Sequence, residues 1–258
     1  MVSSPLLLVF ATLVGCRKVE PAPDDLDGLL HFFWQNAESE DDVLAEGFAS
    51  LDASSGAALE DVIDGNVSRL TLEEAQLVPS VDADPANAAG IFMLNTFACD
   101  PEKLRELLVV PNQDELREGT YEAYERRFLS DRAAYEAGQV STIDWEISLS
   151  AQIVLSDYSS ELRGGVRDIA APSGPAFVQR TWFTEPASFE NNNTWTQDYQ
   201  LELYYERAPG EIVHLYGMWR ELDVAGFTSE NSGVQRQVLN GMKDWDDDTE
   251  TLCAGGTL

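Results

Sequence analysis

Apolar residues in the first third of the chain recur at helical spacing. Leu26, Leu29, Leu30 and Phe33 lie three and four apart, which places them on one face of a helix. Ser39-x-x-Asp42, a weaker relative of the capping box, precedes Val43, Leu44, Phe48 and Leu51 and predicts a second helix. Thr71-x-x-Glu74 is a full capping box and opens a further short one. Residues 26–78 therefore read as helical, and 79–90, PSVDADPANAAG, as a loop. IFMLNTFAC (91–99) is a short apolar run suited to a buried strand. Asp100-Pro101 starts a helix: the aspartate caps free amides, and the missing proline N–H costs nothing at the first helical position. Leu104, Leu107 and Leu108 form its buried face. Asn112, with Glu115 three residues on, predicts a longer helix bearing Leu116, Tyr124 and Phe128.

From residue 142 the period changes to two. Trp145, Ile147, Leu149, Ala151 and Ile153 alternate with Glu146, Ser148, Ser150 and Gln152, the pattern of a half-buried antiparallel strand. Further strands are predicted around 159–169, 176–185, 195–207 and 211–222, the last two joined by a turn at Pro209-Gly210. A closing helix carries Val234, Val238, Met242 and Trp245 along one stripe. The fold class is α+β: a helical segment over 26–90, then an α+β domain over 91–258 with a curved antiparallel sheet of about five to six strands on a long C-terminal helix. This order of elements resembles the helix-grip arrangement of START and polyketide-cyclase-like domains. That resemblance implies a sheet wrapped on its last helix, often around an apolar cavity.

The N-terminus carries a different signal. An apolar run from Pro5 to Val14 has the length of a signal-peptide core and is too short to span a bilayer as a helix. It ends in Leu13-Val14-Gly15-Cys16, which resembles the lipobox of bacterial lipoproteins. The resemblance implies cleavage after residue 15, lipid on Cys16, and a short tether over 16–25. It further implies an exported protein anchored in the cell envelope. Arg17, rather than Asp, after the lipidated cysteine favours the outer membrane. Each buried methylene contributes about 0.8 kcal/mol, so two or three acyl chains hold such a protein permanently.

The formal charge is −30, and of sixteen basic residues only three are Lys. Such acidity excludes a nucleic-acid partner, whose binding rests on cationic contacts to phosphate. It also opposes lying flat on an anionic leaflet. Hydrophobic content of 44% with six Trp describes a folded chain. Beyond Cys16, Cys99 and Cys253 remain; in an exported protein they are expected to form one disulfide. Closing a loop of that length constrains the unfolded chain by about 4–5 kcal/mol in the entropic account.

Candidate chemistry is sparse. The sequence has two histidines. His214 shares an alternating face with Ile212, Tyr216 and Met218, and a two-residue turn at Pro209-Gly210 would set Tyr205 opposite it. Tyr205, His214 and Tyr216 are thus the candidate ligand-facing residues. His31, beside Phe32, Phe33 and Trp34, reads as a helix-surface or packing residue. No nucleophile elbow, zinc helix, phosphate loop or dinucleotide fingerprint is present, and no cofactor is expected. Asp244, Asp246 and Asp248 match the first three ligand positions of an EF-hand loop, but Thr249 and Gly255 stand where Gly and Glu are needed. They are weak candidates for a metal. Arg163, Arg167, Arg180 and Arg220 lie in predicted strands and are expected to pair with carboxylates or to meet an anion.

These features converge on a non-enzymatic envelope protein that binds a hydrophobic small molecule or an envelope partner. A structural or assembly lipoprotein without a ligand is the alternative, and a hydrolase using His214 or a carboxylate pair is a third reading. Intact mass spectra of the protein from bacterial membranes are expected to show acylation at Cys16. Two fewer alkylatable thiols before reduction than after are also expected. An unacylated protein with free thiols that retains residues 1–15 would overturn the export reading.

Overall fold

The computed structural model describes residues 21–56, 62–117, 119–153 and 156–257. The expected signal peptide, Cys16 and the first half of the tether lie outside the described residues.

Asp25 caps helix α1 (Leu26–Asn36) by accepting from the Gly28 amide. Helix α2 (Asp41–Ser55) follows, capped at Glu40 without a side-chain bond. The expected Ser39 box is not used, because the Ser39 hydroxyl donates instead to Asn36. Strand β1 (Ile63–Val67) interrupts the stretch that reads as helical. Its sequence IDGNV has no apolar alternation to give it away. The Thr71 box does form and opens the one-turn helix α3 (Leu72–Ala75). Strand β2 (Ala89–Ala98) and helix α4 (Pro101–Leu108), capped by Asp100, follow as expected.

The longer helix expected after Asn112 is absent. A single 3-10 turn (Gln113–Glu115) leads to strand β3 (Ala123–Phe128) and the short helix α5 (Arg132–Glu136). Tyr124 and Phe128 are four apart in both readings, but the residue between them on the strand is Arg126, whose guanidinium lies 4.5 Å from the Trp145 ring centre. A charged residue used as an inward-facing one concealed the period of two.

The remaining elements are β4 (Thr142–Ile153), β5 (Ser156–Ala170), β6 (Pro175–Phe183), β7 (Ser188–Phe189), β8 (Thr194–Ala208), β9 (Glu211–Val224), β10 (Phe227–Thr228) and α6 (Ser232–Cys253). Among the described residues, ten strands form one curved antiparallel sheet in the order β1-β2-β9-β8-β6-β5-β4-β3, with β7 on β5 and β10 on β9. The sheet is larger than expected because β1 and β3 extend its two edges and the short β7 and β10 pair with β5 and β9.

Helices cover both faces. On one, Leu30, Phe33, Trp34, Phe48 and Leu51 of α1 and α2 pack on Val178, Leu201, Leu203, Tyr205, Leu215 and Trp219. On the other lies α6, whose Val238 and Met242 pack on Ile91, Tyr216 and Met218. Beside it Leu104 and Leu108 of α4 join Trp145, Ile147, Leu162 and Ile212. The Cys99–Cys253 disulfide ties the end of β2 to the end of α6.

The β8–β9 turn departs from the expected register. Ala208 pairs with Glu211, but Glu206 pairs with Ile212, so Arg207 is an extra residue bulged out of β8. Its guanidinium donates to both oxygens of Glu211 and to the Gly56 carbonyl. His214 therefore faces Tyr204, and Tyr205 faces Val213. Because side chains alternate between faces, this one-residue shift moves Tyr205 to the α1–α2 side.

The fit of α1 on the sheet depends on Gly217, where a Cβ would lie 2.6 Å from the buried Leu30 side chain. Gly217→Ala is expected to cost about 1–3 kcal/mol by overpacking. Urea denaturation measures it, and an unchanged midpoint would mean that α1 does not seat there.

Candidate functional site

A cavity of about 180 Å³ lies on the α6 face of the sheet. Met242 and Trp245 border it from α6, and Tyr121 and Tyr124 from the β3 end. Its floor comes from adjacent positions of β6 and β8, where Gln179 pairs with Glu202 and Thr181 with Gln200. Four polar side chains thus replace the apolar row that a sheet packed under a helix ordinarily presents. The volume is below the roughly 300–1,000 Å³ of pockets for drug-sized ligands. It is closer to the roughly 150 Å³ that accommodates a benzene ring in an engineered core cavity.

Beneath the floor a buried polar network joins α6 to the sheet. His214 is wholly buried, and its Nδ1 lies 2.8 Å from Oδ1 of Asp246, also wholly buried. The other Asp246 oxygen accepts from Asn95 Nδ2 at 2.8 Å. The imidazole stacks on Tyr204, with ring centres 4.2 Å apart and planes 12° from parallel. Tyr204 and Gln179 both donate to Glu202, whose Oε2 lies 3.8 Å from His214 Nε2, an ion-pair rather than a hydrogen-bond distance. Burial favours neutral imidazole, but the charges of Asp246 and Glu202 outweigh it and raise the His214 pKa. Burial, reinforced by Glu202, holds the Tyr204 hydroxyl well above its ordinary pKa.

Of the three expected ligand-facing residues, none lines the cavity directly. His214 underlies Glu202; Tyr216 packs against α6; Tyr205 is on the opposite face, with its hydroxyl on Asp52 and Ser55. Sequence reading missed Glu202, Gln179 and Tyr204. The available signal was Glu202 itself, a charged residue inside a long strand, two positions from Tyr204.

Asp244, Asp246 and Asp248 do not converge. They lie on α6, which runs through to Cys253, and successive even positions point to opposite sides of a helix. Asp246 turns to His214, while Asp248 lies 3.8 Å from Arg117. Asp247 holds Lys243, and Glu250 accepts from the Ala98 amide at 3.0 Å. Individual partners thus offset the opposing helix dipole. Among the described residues no group of three or more His, Cys, Asp or Glu is placed to hold a metal.

The four strand arginines each find a carboxylate. Arg163 pairs with Glu146, Arg167 with Asp41 and Arg180 with Glu38, on the α1–α2 side, whereas Arg220 pairs with Asp198 on the α6 side.

A second cluster was not foreseen. Ser68 Oγ lies 2.9 Å from His31 Nε2, and His31 Nδ1 lies 2.7 Å from Glu74 Oε1, the spacing of a Ser–His–Glu relay. Asp27 alters its chemistry, because its Oδ2 accepts from the Ser68 hydroxyl at 2.8 Å. Burial opposes the charge on His31, but Glu74 and Asp27 outweigh it and raise the pKa. Burial likewise opposes ionisation of Glu74, yet hydrogen bonds from His31, the Thr71 amide and Gln35 lower it to about 2. Asp27 thus competes with His31 for the Ser68 proton. The cluster ties α1 to the segment around α3, which makes His31 more than a packing residue.

No protein-family model matches the sequence, and no curated protein matches it. Among solved structures, a START superfamily protein from Mycobacterium smegmatis is similar at 9% identity and a TM-score of 0.40, over 64% of this chain and 97% of that one. The human StarD13 (DLC2) lipid transfer and protein localization domain is similar at 10% identity and a TM-score of 0.44, over 75% of this chain and 87% of its own.

The His214 network makes stability depend on pH. His214 binds its proton more tightly folded than unfolded. Its contribution is therefore complete below the unfolded imidazole pKa of about 6.5, and it fades as pH rises through the raised folded value. Urea midpoints are expected to fall across that interval. His214→Gln, which breaks a buried pair, is expected to cost about 3–5 kcal/mol at low pH and to flatten the slope to what His31 contributes. An unaltered slope in that variant would show that His214 does not carry the charge.

Proposed function

We propose that this protein is a lipid-anchored, non-enzymatic binder of a small hydrophobic molecule, held in the cell envelope through Cys16. The cavity between α6 and the sheet carries the reading. It is bordered by Met242, Trp245, Tyr124 and Leu149, and is large enough for one ring but not for a lipid chain. The lipobox supports the anchor and the export. The tether, residues 17–25, reaches at most about 30 Å when extended, which would keep the body near the membrane. The Cys99–Cys253 bond fits an oxidising compartment. Among the described residues no group hydrogen-bonds His214 Nε2, and Asp27 competes with His31 for the Ser68 hydroxyl, which counts against either histidine as a base.

Binding to the folded state alone raises the melting temperature by mass action. A panel of monocyclic aromatic compounds is expected to contain members that stabilise the protein in a saturable way. Leu149→Trp, which fills the cavity, is expected to abolish that stabilisation. A panel with no binder, or binding that survives Leu149→Trp, would remove the basis of this reading.

A further inference from the structure

The cavity floor has a polarity of its own, and resting on the binding reading above, it narrows the ligand. Glu202 is a carboxylate only 7% exposed, and Gln179, its cross-strand neighbour, is 8% exposed. The orientation of the Gln179 amide is fixed by chemistry: only its Nε2 can face the Glu202 oxygen, since carbonyl against carboxylate would repel. Its Oε1 is consequently turned away and, among the described residues, accepts from no protein group. Gln200 behaves alike, its Nε2 lying 2.6 Å from Asp198 Oδ1. Both amide nitrogens are drawn to carboxylates, which takes two donors away from the floor.

The opposite side is aromatic and apolar, with Trp245, Met242 and Tyr124. The cation on the wall, Arg126, already directs Nε to the Tyr124 hydroxyl and Nη1 to the Leu108 carbonyl, at 2.9 and 2.7 Å. An anion in the cavity would meet the Glu202 carboxylate as well as this partly engaged cation.

We propose that the cavity takes a single-ring aromatic molecule bearing an N–H or O–H donor, with the ring against Trp245 and Met242 and the donor on Glu202. A ring of that size fills the space, and its donor adds to a carboxylate whose two oxygens take one protein donor each, from Gln179 and Tyr204. An apolar ring would cover the remaining lone pairs of the carboxylate without offering them a donor.

Titration calorimetry of the full chain with toluene, phenol, benzylamine and benzoate tests this. Phenol or benzylamine is expected to bind at least about 10-fold tighter than toluene and benzoate, the effect of a hydrogen bond to a charged acceptor. Benzylamine ahead of phenol would identify a cationic donor, and the reverse a neutral one. Toluene or benzoate binding as tightly as the donor compounds would overturn the inference and leave the cavity reading intact. No binding by any of the four would remove both.

Glu202→Gln is expected to bring the four within about 3-fold of one another. Thr181→Val, which keeps the shape of the floor and leaves the His214 network untouched, is expected to melt like the parent. It covers the case in which Glu202→Gln unfolds, and is expected to narrow the preference for donors. An undiminished preference in a folded Glu202→Gln, or in Thr181→Val if that alone folds, would count against the floor as its origin.

Discussion

A buried hydrogen bond between Asp246 of the last helix and His214 of the central strand fixes the geometry of this protein. Hydrophobic contact alone would let α6 slide or roll on the sheet, because apolar packing is non-directional. A carboxylate that must meet one imidazole nitrogen and one asparagine amide admits a single register. The cost is a charged group taken out of water, which is offset only because Asp246 has both partners and His214 has two carboxylates near it. The position of the helix sets where Met242 and Trp245 stand, and so the height of the cavity above Gln179 and Glu202.

The same demand explains the bulge at Arg207. Without it, the β8–β9 hairpin would turn Tyr205 and Leu203 toward α6 and Tyr204 and Glu202 toward α1 and α2. The helices of that second face offer Phe33, Phe48 and Leu51, which suit Leu203 and Tyr205 and give Glu202 nothing. One extra residue, held aside by Glu211, settles which half of an alternating strand meets which partner.

The elements with strong local signals were legible in the sequence. Asp100-Pro101, the Thr71 box, the alternating strands from Trp145 to Met218 and the stripe on the final helix could all be read, because each rests on spacing or capping within a few residues. The failures share a cause too. Strand β1 is polar at a sheet edge; β3 uses Arg126 as though it were apolar; and the bulge depends on Arg207 meeting Gly56, far away in sequence. The polar floor was hidden for a related reason. Gln179 and Glu202 have meaning only as neighbours across two strands, and a single sequence without its register does not bring them together. The Ser68–His31–Glu74 cluster likewise joins three segments that no local pattern links.

The covalent link between Cys99 and Cys253 gives the last helix one immovable end. Near it Glu250 holds the Ala98 amide, so the C-terminal turns of α6 are tied to the sheet twice over. Toward Ser232 the helix is held by Val234 packing and the Asn231 cap, interactions that break and re-form readily. The helix is therefore tied most tightly at its disulfide end. Cutting the sulfur bond would leave that end held by hydrogen bonds and packing alone.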